Sequence, residues 1–164
     1  DGPHPERPGF PPAGRIGRMR ILAIDHGTKR MGLAISDAMQ MIALPLGYLP
    51  AEPFKDFLSS LKDIIRTKEI EMILVGLPRN MDGSYGPAAL KVREFVAVLG
   101  EIVAIPIRTW DERLTSVQAN RFLIENRTRR RQRREKVDTT AATLLLQSYL
   151  EYLSLHSQTP PSGS

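Results

Sequence analysis

Four acidic residues stand where the pattern of the chain changes. Asp25 closes the apolar run ILAID, Asp111 and Glu112 follow VAIPIRTW, and Asp138 opens the segment KVDTTAATLLLQSYL. In an open α/β sheet, groups at the carboxyl ends of parallel strands surround the functional crevice. Asp25 and at least one of Asp111 and Glu112 are therefore expected at the same edge. Asp138 falls in the first turn of the last predicted helix, where the helix partial charge favours an anion. Ala141 and Ala142 follow it on the same helix face and are small enough to let that helix lie close to the sheet. Carboxylates gathered in this way repel one another, and a hard divalent cation is the usual remedy. With no cysteine and three histidines, an oxygen donor set favours Mg²⁺ or Mn²⁺ over zinc. Two such ions about 4 Å apart activate water and stabilise a leaving oxygen in phosphodiester cleavage. Each acid also has an ordinary reading. Asp138 can be a dipole partner, Asp111 or Glu112 a capping partner of Thr115, and Asp25 the centre of an Asx turn. Their joint placement is what favours a site.

Cations and turn residues cluster around the same places. Lys29 and Arg30 lie in the turn after Asp25, where they can hold a phosphate, and Gly27 and Gly32 suit a tight turn and a close backbone approach. His26 stands alone and reads more readily as structural than as a base. The loop GLPRNMDG offers Arg79 and Asn80 to a phosphate or sugar, with Asp82-Gly83 as its turn. Arg113 is expected to contact phosphate or to pair with a neighbouring acid. Residues 127–136 carry six Arg, one Lys and one Glu. Against a whole-chain charge of +5, this block of +6 leaves the remainder at −1. Arg129, Arg130, Arg131, Arg133 and Arg134 form a candidate arm for a polyanion, with a solvated loop as the alternative.

The elements that must carry these groups alternate. Strands are predicted at 21–25, 31–36, 41–49, 71–76 and 103–109, the last demoted toward an edge by Pro106. Helices are predicted at 53–68, 87–99, 114–126 and 137–155 from apolar spacing. The order βββαβαβαα gives a mixed α/β layer architecture with a partly parallel sheet. Residues 1–18 and 157–164 are Pro-, Gly- and Ser-rich, read as disordered tails, and leave 19–156 as one domain. Met19 can be the native start. No apolar run reaches membrane-spanning length and no signal-peptide core is evident, so a cytoplasmic protein without membrane contact is expected.

Four segments, AIDHGTKRMGLAISD, VGLPRNMDGSYG, WDERLTS and KVDTTAATLLLQSYL, together resemble the RuvX/YqgF family, relatives of the RuvC resolvases with a ribonuclease H-like fold. The resemblance covers roughly residues 19–152. It implies a five-stranded mixed sheet flanked by helices, with the first three strands antiparallel and the last two parallel to the first. It also implies a metal-dependent nuclease site of Asp25 as bridging ligand, Glu112 as the ligand orienting water, and Asp138 on the second ion. Asp111 is the fallback for Glu112. Where RuvC-like sites carry a second acid one turn beyond the last Asp, this chain has Ala141. The implied activity is processing of the 5′ end of precursor 16S rRNA. Resolution of four-way DNA junctions or DNA-repair cleavage is the alternative, by a monomer or a homodimer. Two other classes remain open. Asp25-His-Gly-Thr28 is similar to the phosphate-binding turn of actin-like ATPases, which need two such domains, and the basic arm alone would suit a non-catalytic nucleic-acid-binding module.

Overall fold

Continuous apolar runs in the first two strands and 3.6-residue spacing in the helices build three layers around one sheet. A computed structural model describes residues 19–80, 82–114 and 140–157. In chain order these are β1 (Arg20–Asp25), β2 (Arg30–Ser36), β3 (Ala43–Pro50), α1 (Phe54–Thr67), β4 (Ile70–Leu77), α2 (Pro87–Ile102), β5 (Ile107–Asp111), a 3-10 turn (Glu112–Leu114) and α3 (Ala141–Ser157). The sheet runs β3-β2-β1-β4-β5. β1, β2 and β3 pair antiparallel, and β4 and β5 lie parallel to β1, as the resemblance implies.

The two sheet faces divide the core. On one, Leu22, Ile24, Leu33, Ile73 and Val75 pack against Phe57 and Leu61 of α1 and Val92, Phe95 and Leu99 of α2. On the other, Ile21, Ala23, Ala34, Met72 and Leu74 meet Ala142, Leu145, Leu146 and Tyr149 of α3. Helices on both faces explain why β4 reads from Met72 onward as a continuous apolar run and not as an alternating one. Each fully buried Leu or Ile in these layers contributes about 1.5–3 kcal/mol.

Among the element bounds that differ from expectation, three have a visible reason or consequence. β3 begins at Ala43 because Asp37 Oδ1 accepts from the backbone N–H groups of Met41 and Ile42, at 2.7 and 3.0 Å, which makes 37–42 a turn. β5 begins at Ile107 because Pro106 has no N–H for a ladder. Its carbonyl instead accepts from Ile73 N at 3.0 Å, and β5 is an edge strand. α3 begins at Ala141 within the described residues, and Ala141 is exposed while Ala142 is buried, so the helix rests on one alanine and not two. The predicted helix 114–126 lies almost wholly outside the described residues, as do the Thr115 cap and the terminal tails. Among the described residues, no helix is long and apolar enough to cross a membrane.

One polar tie fixes α3 to the far edge of the sheet. Gln147 is 3 % exposed; its Oε1 accepts from Ala43 N at 2.9 Å and its Nε2 donates to Met41 O at 3.4 Å. Gln147→Ala leaves a buried N–H unsatisfied and is predicted to cost about 1–3 kcal/mol. Urea unfolding checks this, with a lowered midpoint and an unchanged slope expected.

Candidate active site

β1 ends on Asp25, and its alternation turns that side chain to the α3 face, in line with Ile21 and Ala23. The chain then turns through His26 to Lys29. A Cβ on Gly27 would lie 2.2 Å from the Arg30 carbonyl oxygen, so this turn closes only around glycine. His26 packs its ring on Phe95 at 4.9 Å and lines the cleft beside Asp25.

At the other strand end the two neighbouring acids separate. Ile107 packs with the α1–α2 core and Trp110 with the α3 core. Asp111 follows Ile107 to the first side. There Arg113 Nη2 lies 3.0 Å and Arg79 Nη1 3.5 Å from its Oδ2, while Arg113 N donates to its Oδ1 at 2.9 Å. Burial alone would push the Asp111 carboxyl up, but the hydrogen bonds and charges of Arg113, with the charge of Arg79, bring it below the usual carboxylate range. The strand stops there, and the 3-10 turn carries Glu112 back toward Asp25. Glu112 is therefore the acid that shares the cleft with Asp25, and Asp111 pairs with two arginines.

Glu112 must cross β4 to reach Asp25, and β4 offers a glycine at that point. Gly76 pairs with Trp110 and sits on the α3 face, in line with Met72 and Leu74. A Cβ there would be 2.8 Å from Glu112 Oε1 and 3.1 Å from Leu145 Cδ2. The Glu112 carboxyl thus lies over bare backbone. Asp25, Glu112, His26, Thr28 and Lys91 line a cleft of about 350 Å³. A second hollow, of about 220 Å³, joins the same two acids to Ala141, Leu144 and Leu145 at the start of α3.

The electrostatics follow from this crowding. Burial raises the Asp25 carboxyl, with His26 opposing. Burial also raises Glu112, and the charges of Asp25 and Asp111 add to it. His26 is lowered by burial, with Asp25 opposing and Lys91 adding. Two carboxylates whose charged forms are disfavoured by burial, one of them further by the other, make a donor set suited to a hard divalent cation. Among the described residues no third metal-liganding side chain joins them. Asp138, the third predicted ligand, lies outside the described residues, as do Arg129, Arg130, Arg131, Arg133 and Arg134.

The predicted nucleic-acid contacts divide. Lys29 is exposed beside Asp25, and the Arg30 guanidinium lies 4.3 Å from the Tyr48 ring centre. Arg79, by contrast, is occupied. It donates through Nε and Nη2 to Gly83 O, reaches Asp111, and lies 4.6 Å from the Tyr85 ring centre. Asn80 donates to Ser84 Oγ at 3.0 Å, within a turn made by Asp82 and Gly83, whose φ is +90°. Arg113 pairs with Asp111, one of its two expected roles. Lys91 was not legible in the sequence as a cleft residue, because only the packing of α2 against the sheet brings its first turn over the strand ends.

The fold is that of the RuvC-like, ribonuclease H-like nucleases. T. thermophilus RuvC in complex with a Holliday junction substrate superposes with a TM-score of 0.54 at 12% identity, covering 87% of this chain and 99% of that one. The chain belongs to the RuvX family, described as Holliday junction resolvase, whose model matches residues 19–152. Similar relatives include proteins of Thermoanaerobacter pseudethanolicus, 46% identical over 81% of this chain and 96% of that one, and of Halothermothrix orenii, 42% identical over 82% and 96%. Both are named as candidate pre-16S rRNA nucleases.

A carboxyl raised in the folded state costs stability once ionised. That loss begins as the pH rises past the unfolded value, 3.8 for Asp25, and is complete above the raised folded value. Asp25→Asn is therefore predicted to unfold at a higher temperature than wild type in EDTA at neutral pH. The gap should close as the pH falls toward 3.8, and thermal unfolding across pH measures it.

Proposed function

We propose that this chain is a divalent-metal-dependent nuclease that hydrolyses phosphodiester bonds in nucleic acid, acting on the 5′ end of precursor 16S rRNA. The observation that carries the reading is the convergence of Asp25 and Glu112 on one cleft at the carboxyl ends of β1 and β5. The names of the 42–46% identical relatives support the RNA substrate, and the description of the family supports four-way DNA junctions as the second reading.

Asp25 and Glu112 would hold Mg²⁺ or Mn²⁺, with Asp138 as a third ligand from the segment before α3. When bound, such a cation supplies charge neutralisation and Lewis acidity at a phosphodiester. Lys91 at the cleft wall and Lys29 in the turn after Asp25 would receive the phosphate, and Arg30 a neighbouring one. Phe95 behind His26 keeps that ring on the cleft wall, and burial holds it toward the neutral form, so it adds no fixed charge beside Asp25. The arm of Arg129, Arg130, Arg131, Arg133 and Arg134 would supply the sequence-independent part of binding. A chain that takes its substrate from ribosomal RNA precursors would act in the cytoplasm.

The test is cleavage of a precursor 16S rRNA fragment, single-stranded DNA and a four-way junction with Mg²⁺ and with Mn²⁺. Asp25→Asn and Glu112→Gln are predicted to lower cleavage by about two orders of magnitude or more, the scale of losing a group that acts in the transition state, while binding persists. Neutralising the five arginines should weaken binding and flatten its salt dependence by up to about 3.5 in the log–log slope on single strands. Absence of cleavage with either metal on every substrate would favour the binding-module reading instead.

A further inference from the structure

At the carboxyl end of β1 the residues of neighbouring strands form a row across the α3 face of the sheet. β1 contributes Asp25, β2 contributes Gly32 directly opposite it, and β3 contributes Tyr48 opposite Gly32. Asp25 thus has a glycine beside it on either flanking strand. Gly76 of β4 is covered by the Glu112 carboxyl, and Gly32 of β2 is bordered by an aromatic ring. A Cβ on Gly32 would lie 3.5 Å from Asp25 Cβ and 3.3 Å from Tyr48 Cε1. The ring edge of Tyr48 therefore closes over the Gly32 backbone and reaches to within one strand of the Asp25 stem.

Tyr48 belongs to the edge strand and is 48 % exposed, although a ring of this size could be buried under α3. Arg30, on the same face, holds its guanidinium 4.3 Å from the ring centre. A cation over a ring fixes the ring's tilt at an exposed site by about 0.5–1 kcal/mol. Tyr85, a comparably exposed tyrosine in the β4–α2 loop, has both Arg79 and Arg93 over its ring, at 4.6 and 4.4 Å. Among the described residues, Tyr48 carries one guanidinium and Tyr85 two, and of these two similarly exposed rings Tyr48 is the one in the strand row that contains Asp25.

We propose that Tyr48, held by Arg30, is a stacking platform for the unpaired base next to the phosphodiester at Asp25 and Glu112. This rests on the nuclease reading for the identity of the ligand and adds its form: the strand enters single-stranded at this position. A base stacked on an aromatic ring satisfies its π-face without sequence readout, and Watson–Crick partners in a duplex would keep the base from turning onto the sheet. Arg30 at the rim then meets the backbone phosphate of the stacked nucleotide. Tyr48 touches the substrate's base and not its reacting atoms, so it is a specificity residue.

The test is a fluorescence titration in EDTA with short single strands, RNA in one arm and DNA in another, carrying 2-aminopurine at successive positions. Wild type and Tyr48→Phe are expected to quench the probe at one position, and Tyr48→Trp to quench it at least as well. Tyr48→Leu is expected to lose the quench and to bind single strands about 5- to 100-fold more weakly, with duplex affinity unchanged. A quench that persists in Tyr48→Leu, or an equal loss of duplex affinity, overturns the platform. Cleavage assayed separately tells the two ideas apart. Cleavage that needs Asp25 and Glu112 but ignores Tyr48 leaves the nuclease without the platform. A Tyr48-dependent quench without cleavage in any metal leaves the platform without the nuclease.

Discussion

Two carboxylates, Asp25 and Glu112, are brought to one cleft across the width of β4, and much of the local structure is the arrangement that tolerates this. Ionised, Glu112 is opposed by burial and by Asp25, and Asp25 by burial. A buried, continuously apolar β4 sets the spacing of β1 and β5, the parallel pairing sends both chain ends to the same edge, and Gly76 removes the one side chain that would block Glu112. Such a site holds stability in reserve. The fold gives up electrostatic stability at these two positions, and a bound cation would return it as binding energy.

The adjacent acids Asp111 and Glu112 show how sharply geometry assigns chemistry. They share a backbone junction, yet one is drawn below the usual carboxylate range and the other above it. The cause is where β5 stops. Arg79 arrives from the β4–α2 loop and Arg113 from the 3-10 turn, and between them they hold Asp111 on the α1–α2 side. With Asp111 fixed, the turn has Glu112 facing α3. The two arginines thus hold Asp111 away from the cleft that Glu112 shares with Asp25.

Much of this was legible in the chain itself. ILAID ending in a carboxylate, the glycine-bearing turn, the apolar VGLP strand and the edge strand marked by Pro106 fix the layer order, because each depends on local periodicity and on rules for parallel strands. The choice between Asp111 and Glu112 was not, since alternation says which residues share a face but not where a strand gives way to a turn. Nor was the pairing of Arg79 with Asp111 legible, because the two stand 32 residues apart. Tyr48 and Lys91 carried no signal, the first being one aromatic in an edge strand and the second one lysine on an amphipathic helix. Both acquire meaning only when β3 and α2 are packed beside the ends of β1 and β5.

The most direct measurement is a carboxyl-detected NMR titration of Asp25 and Glu112 with and without Mg²⁺. Without metal, both carboxyls should titrate above their ordinary values, and protonation of Asp25 should shift the Glu112 curve. With Mg²⁺, both should move down together, because cation and protons compete for the same oxygens. Independent titration at ordinary values, unmoved by Mg²⁺, would contradict a shared metal-binding pair and with it the assignment of this cleft as a nuclease site.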